Sequence, residues 1–129
     1  MVDPSDTEWE FTSVSHPRAR KEHRCDECRR IIKSGEVYQR FAGKCDGYLS
    51  SYTTCSHCEA AVGWLIKACE GYIFGLALAD LREHWDDSPD YRSPTLKLLI
   101  DGMASGWHDG LDEVPSAELV AAAVPVAAA

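Results

Sequence analysis

Two C-x-x-C pairs, Cys25-Asp26-Glu27-Cys28 and Cys55-Ser56-His57-Cys58, stand 26 residues apart and restrict this chain more than any other feature. Two intervening residues let both sulfurs of a pair turn toward one point while amides of the turn hydrogen-bond the thiolates. Two such turns together offer the four sulfurs that a tetrahedral Zn²⁺ takes at about 2.3 Å. The opening MVDPSDTEWE is acidic and has neither the basic start nor the apolar core of a secretory signal, so the expected location is the cytoplasm. In a reducing cytosol a metal explains cysteines better than disulfides do, and an iron–sulfur cluster is the other occupant a set of four cysteines could take. His23 and His57 could each replace a thiolate, but four cysteines at good spacing make that unnecessary. Of the six cysteines, Cys45 abuts a turn and Cys69 lies eleven residues beyond Cys58, where it reads as a small buried apolar residue.

The text between and after the pairs has two different periods. Glu36 to Phe41 and Tyr48 to Thr54 are rich in Val, Tyr, Phe and Thr, and Asp46-Gly47 between them is a strong type I′ hairpin signal. A two-residue loop there sets Phe41 opposite Tyr52 and Arg40 opposite Thr53. Alternation then gives one aromatic face (Phe41, Tyr48, Tyr52) and one mixed basic face (Tyr38, Arg40, Lys44). After Cys55 the period becomes helical: Val62, Leu65, Ile66 and Cys69 form one stripe, with Gly71 as its stop. Phe74, Leu78, Leu81 and Trp85 form a second. A third helix begins at Ser93-Pro94, N-cap and N1 proline, and carries Leu96, Leu99, Ile100 and Met103; a short last helix starts at Ser116 and ends before Pro125. The expected fold class is α+β.

A cysteine knuckle, a hairpin and a second C-x-x-C at the first turn of a helix resemble a treble-clef zinc finger. That resemblance, over roughly residues 23–70, implies one structural Zn²⁺ on Cys25, Cys28, Cys55 and Cys58; the helical periods that follow add two to three helices packed on the finger. The expected divisions are a flexible acidic arm (1–15), the finger (16–70), a helical extension (71–110) and an acidic, Ala-rich tail (111–129). The fuller text, RARKEHRCDECRRIIKSGEVYQR with YTTCSHCEAAVGWL and GYIFG, is also similar to small zinc-finger proteins encoded by bacteriophages and prophages. That similarity implies a partner in a host's cytoplasm and little chemistry.

Catalysis is not expected. Treble clefs with nuclease activity need a hairpin histidine, and none stands between Cys28 and His57. Zinc deaminases use P-C-x-x-C with H-x-E upstream, and no H-x-E precedes either pair here. A closed shell of four thiolates leaves no coordination position for water or substrate. Nor is a membrane span expected: the least polar run, Leu119 to Ala129, has eleven residues against the roughly 20 a span needs.

The net charge of −8 hides a division. Residues 16–44 carry nine Lys and Arg against four Asp and Glu, whereas residues 70–129 carry three against eleven. The acidic helices, with Trp64, Trp85 and Trp107 as core or interface anchors, suit an adaptor or inhibitor docking on a basic protein surface. The alternative is a nucleic-acid surface made of Arg18, Arg20, Lys21, Arg24, Arg29, Arg30, Arg40 and Lys44 with Tyr38 interleaved. The overall negative charge repels phosphate and favours the first reading.

Overall fold

The structure is a computed structural model that describes residues 9–45, 47–69 and 71–125. It is an α+β protein with a small antiparallel sheet followed by several helices. Strand β1 (Trp9–Ser15) is followed by a short ribbon, β2 (His23–Arg24) and β3 (Ile31–Ile32). The long hairpin β4 (Tyr38–Cys45) and β5 (Tyr48–Cys55) comes next. Helices α1 (Ser56–Cys69), α2 (Ala77–Asp87) and α3 (Pro94–Ala104), a left-handed turn α4 (Gly106–Gly110) and α5 (Ala117–Ala122) complete it. Among the described residues no helix is long and apolar enough to cross a membrane.

The hairpin has the register its turn demands. Phe41 pairs with Tyr52, Arg40 with Thr53, and the ladder runs from Tyr38↔Cys55 to Cys45↔Tyr48 without a bulge. Gly47 has the positive φ, +82°, that the turn requires; Asp46 lies outside the described residues. Phe41 and Tyr52 share the aromatic face, where Phe74 stacks on Tyr52 at 4.3 Å and Tyr72 meets Phe74 edge-on. Phe74 therefore serves the sheet from the α1–α2 connection, ahead of the helix whose stripe it was expected to begin.

Trp9–Ser15, within the segment 1–15 expected as a flexible acidic arm, forms a strand. It pairs antiparallel with β4 along the edge opposite β5, so the sheet order is β1-β4-β5. Thr12, Ser13, Val14 and Ser15 of this edge strand are exposed.

Helix α1 is the hub against which α2, α3 and α5 pack. Its inner face carries Cys58, Ala61, Val62, Trp64 and Leu65, all buried, while Ile66 points outward at 52% exposure. Leu81 of α2 and Leu96, Leu99 and Met103 of α3 close the core. Two helix starts follow from local chemistry. The Ser93 hydroxyl accepts the Leu96 N–H at 3.0 Å with Pro94 at N1, and Ser116 accepts the Leu119 N–H at 3.2 Å. Of the three tryptophans expected as core or interface anchors, Trp64 and Trp107 are fully buried in the core; Trp85 is half-buried, with the Arg92 guanidinium 5.6 Å above its ring.

Between α3 and α5 the backbone turns left-handed. Gly106, Trp107, His108, Asp109 and Gly110 have φ of 61°, 55°, 47°, 61° and 84°. Glycine adopts this region freely, but each of the three middle residues costs roughly 1–2 kcal/mol there. The surrounding contacts must offset that cost, and they converge on the cysteines.

Candidate metal centre

The first pair sits in the loop of the β2–β3 ribbon. Cys25 N–H donates to the Arg30 carbonyl at 2.9 Å and Arg29 N–H to the Cys25 carbonyl at 3.0 Å, with Arg29 at φ 69° closing the turn. Asp26 fastens this loop to β5 twice: its N–H donates to the Thr53 carbonyl at 2.8 Å, and its carboxylate accepts the Thr53 N–H at 2.7 Å. The second pair joins the end of β5 to the first turn of α1. Cys58 thereby lies where unpaired amides and the positive end of the helix favour a thiolate.

The structure thus gathers Cys25, Cys28, Cys55 and Cys58. Their four Sγ atoms all lie within 4.8 Å of one another, and together they could hold a metal ion. All four are free cysteines; Cys25, Cys55 and Cys58 are buried and Cys28 is partly exposed. Amides already address the sulfurs. Glu27 N–H and Cys55 N–H each donate to Cys25 Sγ at 3.4 Å, and Cys58 N–H donates to Cys55 Sγ at 3.4 Å. The crowded sulfurs share their protons unequally: hydrogen bonding from Cys28, then from Cys55 and Cys58, drives the Cys25 thiol far below its ordinary pKa. Buried anionic sulfur with this donor set is the chemistry of a cation site.

Arg30 stands beside the cluster. Its side chain is only 2% exposed and pairs with Glu36 in a fork, Nη2 to Oε1 at 2.8 Å and Nη1 to Oε2 at 3.1 Å. Burial opposes its charge, yet Glu36 and the Cys55 sulfur outweigh that and raise its pKa above the ordinary value. The Arg30 Nη2 also donates to His57 Nδ1 at 3.3 Å. A guanidinium only donates, so His57 accepts there and its Nε2 carries the proton, donated to the Asp112 carbonyl at 2.8 Å. His57 is thus a strut between Arg30 and Asp112, not a ligand.

Several sequence expectations change. Arg30 is a buried ion pair, so it is withdrawn from the proposed nucleic-acid surface. Tyr38 is withdrawn too: it is 6% exposed, its ring 4.9 Å from that of His23, with nothing free to stack on a base. Arg18 donates to the Gly35 carbonyl and Arg24 to the Arg29 carbonyl, both at 2.7 Å, while Arg20, Lys21, Arg29 and Arg40 are exposed and Lys44 is half-buried. Cys69 is not a buried apolar residue. It lies exposed at the end of α1, its thiol donating to the carbonyls of Leu65 and Gly71 at 3.2 and 3.1 Å. Cys45 ends β4 at the far end of the hairpin from Cys55.

Three residues that the sequence did not single out for the site connect it to the helices. Glu27, inside the first C-x-x-C, is buried and accepts the N–H groups of Gly75 at 2.8 Å and Ala77 at 3.1 Å, capping α2, whose N-cap Leu76 offers no side-chain acceptor. Burial pushes the Glu27 carboxyl pKa up, and the two donors pull it back only in part. Glu27→Ala should strand both amides and cost about 1–3 kcal/mol of stability, read by urea unfolding. The other two are Asp112, through the backbone carbonyl that receives His57, and Trp107, whose indole N–H donates to Cys58 Sγ at 3.3 Å. A sequence signal existed only for the turn, in the flanking glycines of Gly106-Trp107-His108-Asp109-Gly110.

No family model, no curated protein and no solved structure matches this chain.

Proposed function

We propose that Cys25, Cys28, Cys55 and Cys58 hold one structural Zn²⁺ in a treble-clef finger, residues 16–70. The remaining helices form a non-catalytic interaction module for a basic protein surface in the cytoplasm. One observation carries the metal reading. Cys28 Sγ and Cys55 Sγ are 3.8 Å apart, and a regular tetrahedron with metal–sulfur bonds of about 2.3 Å has edges of about 3.8 Å. A multi-iron cluster divides its thiolates among different irons, whereas all four Sγ atoms here lie within 4.8 Å of one another. The order of ribbon β2–β3, hairpin β4–β5 and helix α1 supports the treble-clef reading, which expects a knuckle, a hairpin and a helix in that sequence. Four thiolates close the shell, leaving no position at which a metal would activate water.

The interaction reading draws support from the helical half. A groove of about 570 Å³ lies between α3 and the segment after α4, walled by Pro94 and Leu98 and rimmed by Asp101, Asp112 and Glu113. Lys97 pairs with Asp101 at 2.8 Å and the His108 ring hydrogen-bonds Asp112 at 2.7 Å, both exposed contacts that an incoming Arg or Lys could replace. The rival nucleic-acid reading loses Arg30 and Tyr38 to burial and keeps the exposed Arg18, Arg20, Lys21, Arg24, Arg29 and Arg40.

Capture experiments with the full zinc-loaded chain test this reading. A cytoplasmic protein retained by the wild type and lost on the double change Asp101→Lys, Glu113→Lys supports it. Duplex DNA binding that falls steeply with salt and is lost on Arg20→Glu, Arg29→Glu would overturn it in favour of nucleic acid.

A further inference from the structure

We propose that Trp107 tunes and secures the metal centre by donating its indole N–H to the Cys58 thiolate, an inference that rests on the metal reading above. Four thiolates around one divalent cation leave two negative charges in a buried site, so hydrogen bonds to sulfur stabilise it. Cys25 Sγ receives two amides and Cys55 Sγ one, whereas among the described residues Trp107 is the one N–H donor to Cys58 Sγ. Both partners are fully buried, and an indole N–H has no acceptor capacity, so its proton points at the sulfur.

The left-handed turn holds the indole there. Three consecutive non-glycine residues in that region persist only where their surroundings fix them. Five contacts do so. The Trp107 ring lies on Gly102, where any Cβ would collide with it. Gly106 lies against Arg30 and the Cys28 carbonyl, and Gly110 against the Arg30 guanidinium. The His57 ring sits 5.4 Å from the indole, and Lys33 pairs with Asp109 at 3.2 Å. Residues of both C-x-x-C loops thus press the turn onto Cys58, and α3 backs it.

Trp64 provides the comparison. It is equally buried, but its indole N–H has no partner among the described residues. Trp107→Phe in the full chain should weaken zinc binding by about 10- to 100-fold in competition with a chelator. The same change should shift the thiolate-to-cobalt charge-transfer band of the Co²⁺-loaded protein. Trp64→Phe should leave both at their wild-type values. Equal zinc affinity in Trp107→Phe and wild type, or an equal loss in the two variants, would overturn the proposal. Should Trp107→Phe not fold, the ¹¹³Cd-loaded wild type decides. The Trp107 indole proton couples to the metal through the sulfur if the bond carries this role, and an uncoupled, freely exchanging proton refutes it. A wild-type chain that binds no metal overturns the metal reading and this proposal together; a metal-binding chain indifferent to Trp107→Phe overturns this proposal alone.

Discussion

Cys25→Ser should leave the chain unable to hold zinc and unable to keep its fold. Cys25 is fully buried, its sulfur takes two amide hydrogen bonds, and its own backbone closes the knuckle with Arg29 and Arg30. A serine hydroxyl is a poor ligand for zinc beside three thiolates. Structural zinc contributes an apparent free energy of about 10–16 kcal/mol in small fingers. A whole domain is stable by only about 5–15 kcal/mol. Losing the metal therefore removes as much as the fold has to lose. Elemental analysis should find the variant zinc-free, and its amide NMR spectrum should collapse to the dispersion of an unfolded chain. Cys69→Ser, at an exposed helix end, should stay within about 0.5 kcal/mol of wild type. A Cys25→Ser protein that melts like the wild type would refute the ligand assignment.

The next largest effect is expected at Glu36. Glu36→Ala leaves the Arg30 guanidinium buried at 2% exposure without its forked partner, and also removes the acceptor of the Lys33 N–H at 2.6 Å. Breaking a buried pair from one side costs about 3–5 kcal/mol, and the 29% exposure of Glu36 together with the nearby thiolates places this case toward the lower end. At pH 7 the contribution is complete. Arg30 holds the Glu36 carboxyl below its ordinary pKa of 4.5, so the stabilisation is fully present above that value and is lost only as pH falls through the lowered one. Replacing both partners, Arg30→Met with Glu36→Leu, should recover much of the loss, since no buried charge is then stranded. Urea unfolding of the zinc-loaded proteins measures each change. A single Glu36→Ala costing under about 0.5 kcal/mol would mean that the pair does not hold the knuckle.

What the sequence displayed and what it hid divide along the range of the interactions. The hairpin register followed from one Asp-Gly turn, because a period of two leaves no freedom once the loop length is set. The helix starts at Ser93 and Ser116 were equally legible, being bonds between residues three apart. The four sulfurs were legible because metal chemistry restricts their spacing. Hidden were the features decided by distant partners. Glu27 caps a helix 48 to 50 residues away, Arg30 is drawn inward by Glu36 and the sulfurs, and Trp9–Ser15 becomes a strand only because β4 offers a free edge. The basic text of residues 16–44 reads as surface charge, yet it supplies Arg30, and Lys33 reaches Asp109 of the acidic half. Some of the charge division is therefore satisfied within the molecule.

The central claim is that one zinc on four cysteines organises both halves of this fold. Native mass spectrometry of the purified chain, before and after a strong chelator, tests it most directly when paired with an amide NMR spectrum of each sample. The expected result is one zinc per chain, lost on chelation together with the dispersed resonances of the knuckle, of α1 and of Trp107, and restored when zinc is returned. A chain that carries no metal and keeps the same dispersed spectrum in chelator would contradict it.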